Sequence, residues 1–383
     1  MIMNMIKPRV SNGKEELTYV HSLSKKQQAE YKIKETELSQ FQKKHIPIKC
    51  RIVELNVSVS TKVCLYEKLR LLQNLEPTSS EYAKLNMWLD AALKIPFGQY
   101  EKVPVHMDDD KSKIRKYLRG IQYALDTTVY GHKDAKSDII ELVSQWISNP
   151  RSMSQVIGIC GPPGTGKTTL VRHGIAKALG RPFVQISLGG ATDACTLNGH
   201  SYTYEGSIWG RIVAALMSAE CMNPVLFFDE VDKISESKTG QEIVGILIHL
   251  TDSTQNDQFN DRFFEGLPLD LSRALIIFSF NDVNKLCPIL RDRMRVVNTG
   301  GFTVKDKCAI VKQHILPSVL RNTGFPPGHI VMEDDNIKQM IDLVPQEKGA
   351  RNLKRGIEKA VMKLNVLRSE EHTSELQSHS DLV

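Results

Sequence analysis

With 383 residues the chain is too long for one ordinary core, and two or three domains of about 100–200 residues are expected. Hydrophobic residues at 41% and charged residues at 25% fit a soluble globular protein and exclude a fibrous or wholly disordered one. The formal net charge of +6 is mild: nucleic acid stays an open but unfavoured partner, because Lys25, Lys26, Lys32, Lys34, Lys43, Lys44 and Lys49 are interleaved with glutamates as on a solvated helical face.

The N-terminal "MIMNMIKPRVSNGKEEL" has no continuous apolar core, so no signal peptide is expected. No apolar run reaches the roughly 18 residues of a membrane span. Seven cysteines, an odd number without a C-x-x-C pair, point to free thiols in a reducing compartment. An intracellular, cytoplasmic location is expected, with an organellar matrix as the other option.

Residues 1–50 are polar and rich in lysine and glutamine, helical at best. From 51 to about 125 apolar residues recur at helical spacing, as in "VCLYEKLRLLQNL" and "EYAKLNMWLDAAL". "PTSSEY" between them supplies a proline and a serine N-cap ahead of Glu81, a helix start. Helix resumes near Asp109 and again from His132 to Ile147. Over 126–300 the texture changes. "QVIGIC", "PFVQISL", "PVLFFDE" and "ALIIFSF" are strand-length apolar runs separated by helical stretches, which predicts an α/β domain with a parallel sheet covered on both faces. Residues 301–367 turn helical again and predict a small all-α domain.

The first strand leads into Gly161-Pro162-Pro163-Gly164-Thr165-Gly166-Lys167-Thr168-Thr169, the G-x-x-x-x-G-K-T phosphate loop between a strand and a helix. Glycines let backbone N–H groups curl toward an anion, and the positive end of the following helix adds to that field. Lys167 is expected to reach the β- and γ-phosphates of ATP, and Thr168 to ligate Mg2+. In "PVLFFDEVDK" a buried strand delivers two acids to its C-terminal edge, where open parallel sheets bind ligands. Asp229 is expected to hold the metal, and Glu230 to polarise the attacking water as general base. A third strand ends in Asn281, placed to orient the same water. "ILRDRMRVV" offers Arg291, Arg293 and Arg295; one of them could offset transition-state charge across a subunit boundary, the other two being surface ion pairs.

Together these motifs resemble an AAA+ ATPase, and within that superfamily the ATPase module of the Lon ATP-dependent protease family. The likeness rests on "GRPFVQISLGGATDACTLNGHSYTYEGSIWGRIV", "DSTQNDQFNDRFFEGLPLDLS", "ARNLKRGIEKAV" and "PTSSEYAKLNMWLDAALKIPFGQY", and runs from about Arg51 to Leu367. It implies a P-loop AAA+ large subdomain with a C-terminal helical lid. It implies Asn281 as first sensor, Arg293 as arginine finger, Arg351 of "ARNL" as second-sensor arginine of the lid, and Tyr130 and Gly131 beside the adenine. It also implies Tyr204 of "TYEG" as the pore-loop aromatic that grips a threaded polypeptide, and a homo-hexameric ring. Two positions depart from the pattern: Glu205 where an apolar residue is usual, and Trp209 where proline is common.

The resemblance further implies that a Ser–Lys peptidase domain follows the lid in the whole protein, so that no peptidase activity is expected from this stretch. Residues 368–383, "RSEEHTSELQSHSDLV", resemble the in-frame translation of a sequencing-library adaptor, and natural sequence is expected to stop near Leu367. The leading expectation is ATP-driven protein unfolding and translocation. A stand-alone AAA+ ATPase or chaperone is the nearest alternative. A DNA-handling motor of the clamp-loader or helicase-loader type is the rival from another class.

Overall fold

A computed structural model describes residues 19–41, 46–150, 152, 156–191, 193–204 and 206–380, and the side chains of its last helix as far as Arg368. Glu205 lies outside these residues, as do 1–18 and 42–45 of the N-terminal segment. The chain divides into two compact units, Met1–Glu54 and Leu55–Val383. The first contains α1 (Lys25–Phe41) and α2 (Ile48–Glu54).

The second unit opens with a helical hairpin, α3 (Val59–Asn74) and α4 (Ser80–Ala92), whose helices pack on each other. Each starts at a serine cap: Ser58 Oγ accepts from Thr61 N–H, and Ser79 Oγ from Tyr82 N–H. Leu65, Trp88 and Leu89 are fully buried, so the apolar spacing read in the sequence does face a core. α5 (Lys111–Thr128) and α6 (Lys133–Ser148) follow and pack together.

Five parallel strands then form one sheet in the order β2–β3–β4–β1–β5: β1 Val156–Cys160, β2 Phe183–Ser187, β3 Val225–Asp229, β4 Leu275–Phe280 and β5 Arg295–Asn298. β3, β4 and β1 are buried on both faces. One face puts Ile157, Ile159, Phe227 and Ile277 into a core with Leu125, Ile139 and Trp146 of α5 and α6. The other buries Leu226, Phe228, Ile276 and Phe278, with Phe228 and Phe278 ring to ring at 5.4 Å. Near-continuous apolar runs are what a sheet covered twice requires. β5 is the strand the sequence reading lacks. It has four residues and a single buried side chain, Val297, and its first residue, Arg295, is one of the three arginines of "ILRDRMRVV".

The helix after the phosphate loop, α7 (167–179), is α-helical at Lys167–Thr169, π-helical over Leu170–Ala176 and α-helical again at Lys177–Leu179. α8 (Cys195–Asn198) and α9 (Arg211–Ala219) lie between β2 and β3, α10 (Lys238–Thr251) follows β3, and α11 (Pro288–Asp292) precedes β5. A helical subdomain completes the unit: α12 (304–323), α13 (Asp334–Leu343) and α14 (Arg351–Ser380). It has its own core of Val311, Val319, Ile337, Leu353 and Ile357. A capping box between Thr303 and Asp306 starts α12, and a π-helical stretch, Val311–Ile315, precedes Pro317, whose missing N–H an unbroken α-helix would need. The backbone of α14 continues as helix past Leu367 to Ser380. No helix among the described residues is long and apolar enough to cross a membrane.

Candidate active site

Strand order, rather than chain order, assembles the site. β1, β4 and β3 are neighbours, so the phosphate loop after Cys160, Asn281 after Phe280 and the acids at the end of β3 meet at one carboxyl edge of the sheet. Lys167 Nζ donates to Gly161 O at 2.5 Å, to Pro162 O at 3.2 Å and to Asn281 Oδ1 at 2.9 Å. Burial pulls its ammonium below lysine's ordinary pKa, and the Asp229 and Asp232 carboxylates oppose that shift. Gly164 and Gly166 both have positive φ, +81° and +84°, a conformation side chains resist and the loop needs to turn its N–H groups inward.

Asp229 is held on several sides. Its Oδ1 accepts from Ser279 Oγ and from the Glu230 N–H, and its Oδ2 from Gln185 Nε2 at 3.0 Å. Glu230 has left-handed backbone, φ +60°, and forms an ion pair with Lys233. Its side chain runs so close to Gly189 that a Cβ there would sit 2.1 Å from Oε2. The first glycine of "LGG" therefore makes room for the acid. Asp232 joins β3 to β4: one carboxylate oxygen accepts the N–H groups of Asn281 (3.0 Å) and Asp282 (3.3 Å).

Two cavities meet across the loop and share Gly164, Thr165, Gly166, Thr169 and Arg351. One, of about 340 Å³, is walled by Val129, Tyr130, Phe302, Ile310 and Ile315 and suits a flat apolar base. The other, of about 610 Å³, is lined by Lys167, Thr168, Asp229, Glu230, Asn281 and Ser279 and suits a polyphosphate with a divalent cation between Thr168 and Asp229. The donors and acceptors present thus fit a nucleoside triphosphate with Mg2+, base on one side of the loop and phosphates on the other.

The helical subdomain closes this cleft from the far side. Ala350 N–H donates to Gly164 O at 3.0 Å, which sets Arg351, the first residue of α14, beside the phosphate loop. Tyr130 packs on the helical subdomain's core and bonds the Asp306 carboxylate, which raises the phenol's pKa. Gly131 precedes His132 with φ +76°. His132 was not singled out from the sequence, yet its Nε2 lies 2.8 Å from Thr165 O and its ring 5.7 Å from Phe302. Burial lowers its pKa, so at pH 7 the ring is neutral and donates from Nε2 into the loop's own carbonyl. Gln185, Ser279 and Asp232 are the other supporting residues that sequence reasoning missed. Asp232 stands in "DEVDK", Ser279 two residues before Asn281 and Gln185 in "GRPFVQISLGG", each beside a motif that gives no sign of the carboxylate or backbone it serves.

Arg293 and Tyr204 lie elsewhere. Arg293 is outside the residues lining either cavity of its own chain. Its Nη1 bonds Asp252 Oδ2 at 2.9 Å and Ile248 O at 2.8 Å. Arg295 pairs with Asp138 and Glu141, whereas Arg291 is exposed. Tyr204 is 70% exposed at the tip of a loop. Trp209, at that loop's far end, packs edge-on against Phe263 at 5.7 Å and serves as an anchor.

A family model described as "ATPase family associated with various cellular activities (AAA)" matches residues 157–300, the stretch that holds the whole sheet edge except the lid. The module is therefore an AAA ATPase. Among curated proteins the chain is 37% identical over 326 residues to a Lon protease homolog of Acanthamoeba polyphaga mimivirus, covering 84% of this chain and 31% of that protein. It is 33% identical over 330 residues to the mitochondrial Lon protease homolog of Schizosaccharomyces pombe (86% and 30%), and 32% identical over 326 residues to Lon protease 1 of Syntrophotalea carbinolica (85% and 38%). The chain belongs to the Lon family as its AAA+ ATPase module, and it spans about a third of the length of these relatives.

Proposed function

We propose that this module hydrolyses ATP to ADP and phosphate and uses the cycle to unfold and thread polypeptides, as the motor of a Lon-type ATP-dependent protease. The observation that carries the reading is the meeting of Lys167, Thr168, Asp229, Glu230 and Asn281 at one sheet edge, with Arg351 of the helical subdomain across the loop. Bound ATP with Mg2+ supplies the scissile phosphoanhydride and its charge screen. Lys167 and the loop N–H groups hold the phosphates, and Thr168 and Asp229 hold the cation. Glu230 takes the proton of the attacking water, and Asn281, fixed by Asp232, keeps that water in line. Arg351 senses the phosphates from the lid, so its grip changes when the γ-phosphate leaves. Tyr130 and Gly131 border the base.

Among the described residues Arg351 is the arginine of its own chain that lines the site, and Arg293 points into α10 instead. This favours a ring, a homo-hexamer, in which a neighbour's Arg293 completes each site. Residues 51–125, 126–300 and 301–367 are the proposed helical, ATPase and lid divisions. Tyr204, exposed on its loop, is the proposed contact with the threaded chain.

Two substitutions test this. Glu230→Gln keeps nucleotide binding and lowers ATP turnover about 10²–10⁴-fold; persistent turnover overturns the assignment of the base. Tyr204→Ala spares basal ATP hydrolysis and removes unfolding of a folded reporter protein; undiminished unfolding removes Tyr204 from the threading path.

A further inference from the structure

The loop that carries Tyr204 is fastened by residues far from the nucleotide. At its base Gly210 N–H donates to Asp261 Oδ2 at 2.9 Å, and His200 N–H to Ile208 O at 3.2 Å. Toward the tip the partners come from the α3–α4 hairpin. Lys68 Nζ donates to Tyr202 Oη at 3.0 Å and lies 4.7 Å from the centre of the Tyr202 ring. The same ammonium lies 5.5 Å from the Trp88 ring. Lys84 Nζ donates to Thr203 O at 3.1 Å. Trp88, fully buried, donates from Nε1 to Phe263 O at 2.8 Å and packs on Phe264, the ring that Trp209 stacks upon at 6.4 Å. Both flanks of Tyr204 thus lean on the hairpin, directly at 202–203 and through Phe264 at 209, while the Tyr204 side chain stays exposed.

We propose that the α3–α4 hairpin is a working part of the threading machinery, with Lys68 as the positioning residue that holds Tyr202 and so aims Tyr204. This rests on the reading of Tyr204 as the substrate contact. The physical case is one of geometry and charge. A loop whose tip must push on a chain needs a stiff backing, and the hairpin supplies it at 202–203, where Lys68 and Lys84 reach the loop. A lysine half-buried between two aromatic rings gains a cation–π contact and a charged hydrogen bond that a solvated lysine lacks. Such a lysine has little reason to stand there unless Tyr202 is to be kept in place. The hairpin would then set how far the loop yields under load, without touching the nucleotide.

The test compares Lys68→Met, Lys68→Arg, Tyr202→Phe and Tyr204→Ala in the full chain. Three quantities are read: basal ATP hydrolysis, affinity for a fluorescently labelled unfolded casein in ATP, and the rate of chymotryptic cleavage after Tyr204, located by mass spectrometry. Lys68→Met is expected to speed that cleavage and weaken casein binding about tenfold each, leaving basal hydrolysis unchanged. Lys68→Arg should restore both, since a guanidinium keeps the donor and the cation over the ring. Tyr202→Phe, which removes only the hydroxyl and does not threaten folding, should give a smaller change of about threefold in the same direction. If Tyr204→Ala abolishes casein binding while Lys68→Met and Tyr202→Phe change neither cleavage nor affinity, the brace is wrong and the loop reading stands. If Tyr204→Ala leaves casein binding intact, the loop reading fails and the proposal with it.

Discussion

The nucleotide edge and the Tyr204 loop are built by opposite means. At the edge each reactive side chain is held by another polar group or by the absence of one: Ser279 and Gln185 hold Asp229, Asp232 holds the Asn281 backbone, and Gly189 leaves space for Glu230. At the loop the residue of interest touches little, and only its neighbours are fixed, by Lys68, Lys84 and Asp261. The proposed phosphoryl transfer would tolerate little misplacement of a base or a cation, which accounts for an over-determined edge. On the proposed reading of Tyr204, a contact that must fit many polypeptide sequences needs compliance at the tip and stiffness only at the root.

This contrast can be broken in several places. On the proposed ring, the largest expected effect is at Arg293. Arg293→Ala should lower ATP turnover of the assembled ring about 10³-fold or more, and Arg291→Ala should leave it near the parent value; equal losses would show that the two arginines share the role. Next comes Gly189→Ala. The added methyl displaces the Glu230 carboxylate, so steady-state kinetics should show a fall in kcat of about 10²-fold with KM for ATP nearly unchanged. A fall in affinity instead would mean that the glycine serves the fold and not the base.

The smallest effect belongs to the root of the loop. Asp261 is fully buried, and burial, set against the N–H groups of Gly210, Phe263 and Phe264, pushes its carboxyl up to about 6. Because the folded state binds this proton more tightly than the unfolded state, acidification from pH 7 to pH 5 favours the folded parent. Asp261→Asn lacks that contribution. Parallel denaturation at the two pH values should therefore show the parent gaining about 1 kcal/mol relative to the variant as pH falls. A constant difference would mean that Asp261 titrates as an ordinary exposed acid.

Much of this is legible in the sequence alone. The phosphate loop, the acid pair on "PVLFFDE" and the helical texture after Gly301 are local patterns, set by side-chain periodicity and by backbone freedom within a few residues. Four of the five strands could be read because burial on both faces demands long apolar runs. β5 escaped because a four-residue edge strand with one buried side chain carries almost no such pattern. The supporting residues escaped for another reason. His132, Gln185, Ser279 and Gly189 act at contacts that span tens of residues in sequence, and although three of them stand in stretches already singled out, nothing local shows which group each one serves.

By itself, then, the sequence determined the repertoire: a phosphate loop, two strand-end acids, an asparagine, candidate arginines and an α/β domain followed by helices. Only the tertiary structure decided which of these meet. The order β2–β3–β4–β1–β5 places β4 between the loop and the acids, so Asn281 lies within reach of Lys167. Folding of α14 against Gly164 brings Arg351 to the cleft, while Arg293 turns away into α10. The physical reason is that periodicity encodes which face of an element is buried, whereas adjacency of elements is chosen by packing the whole core at once.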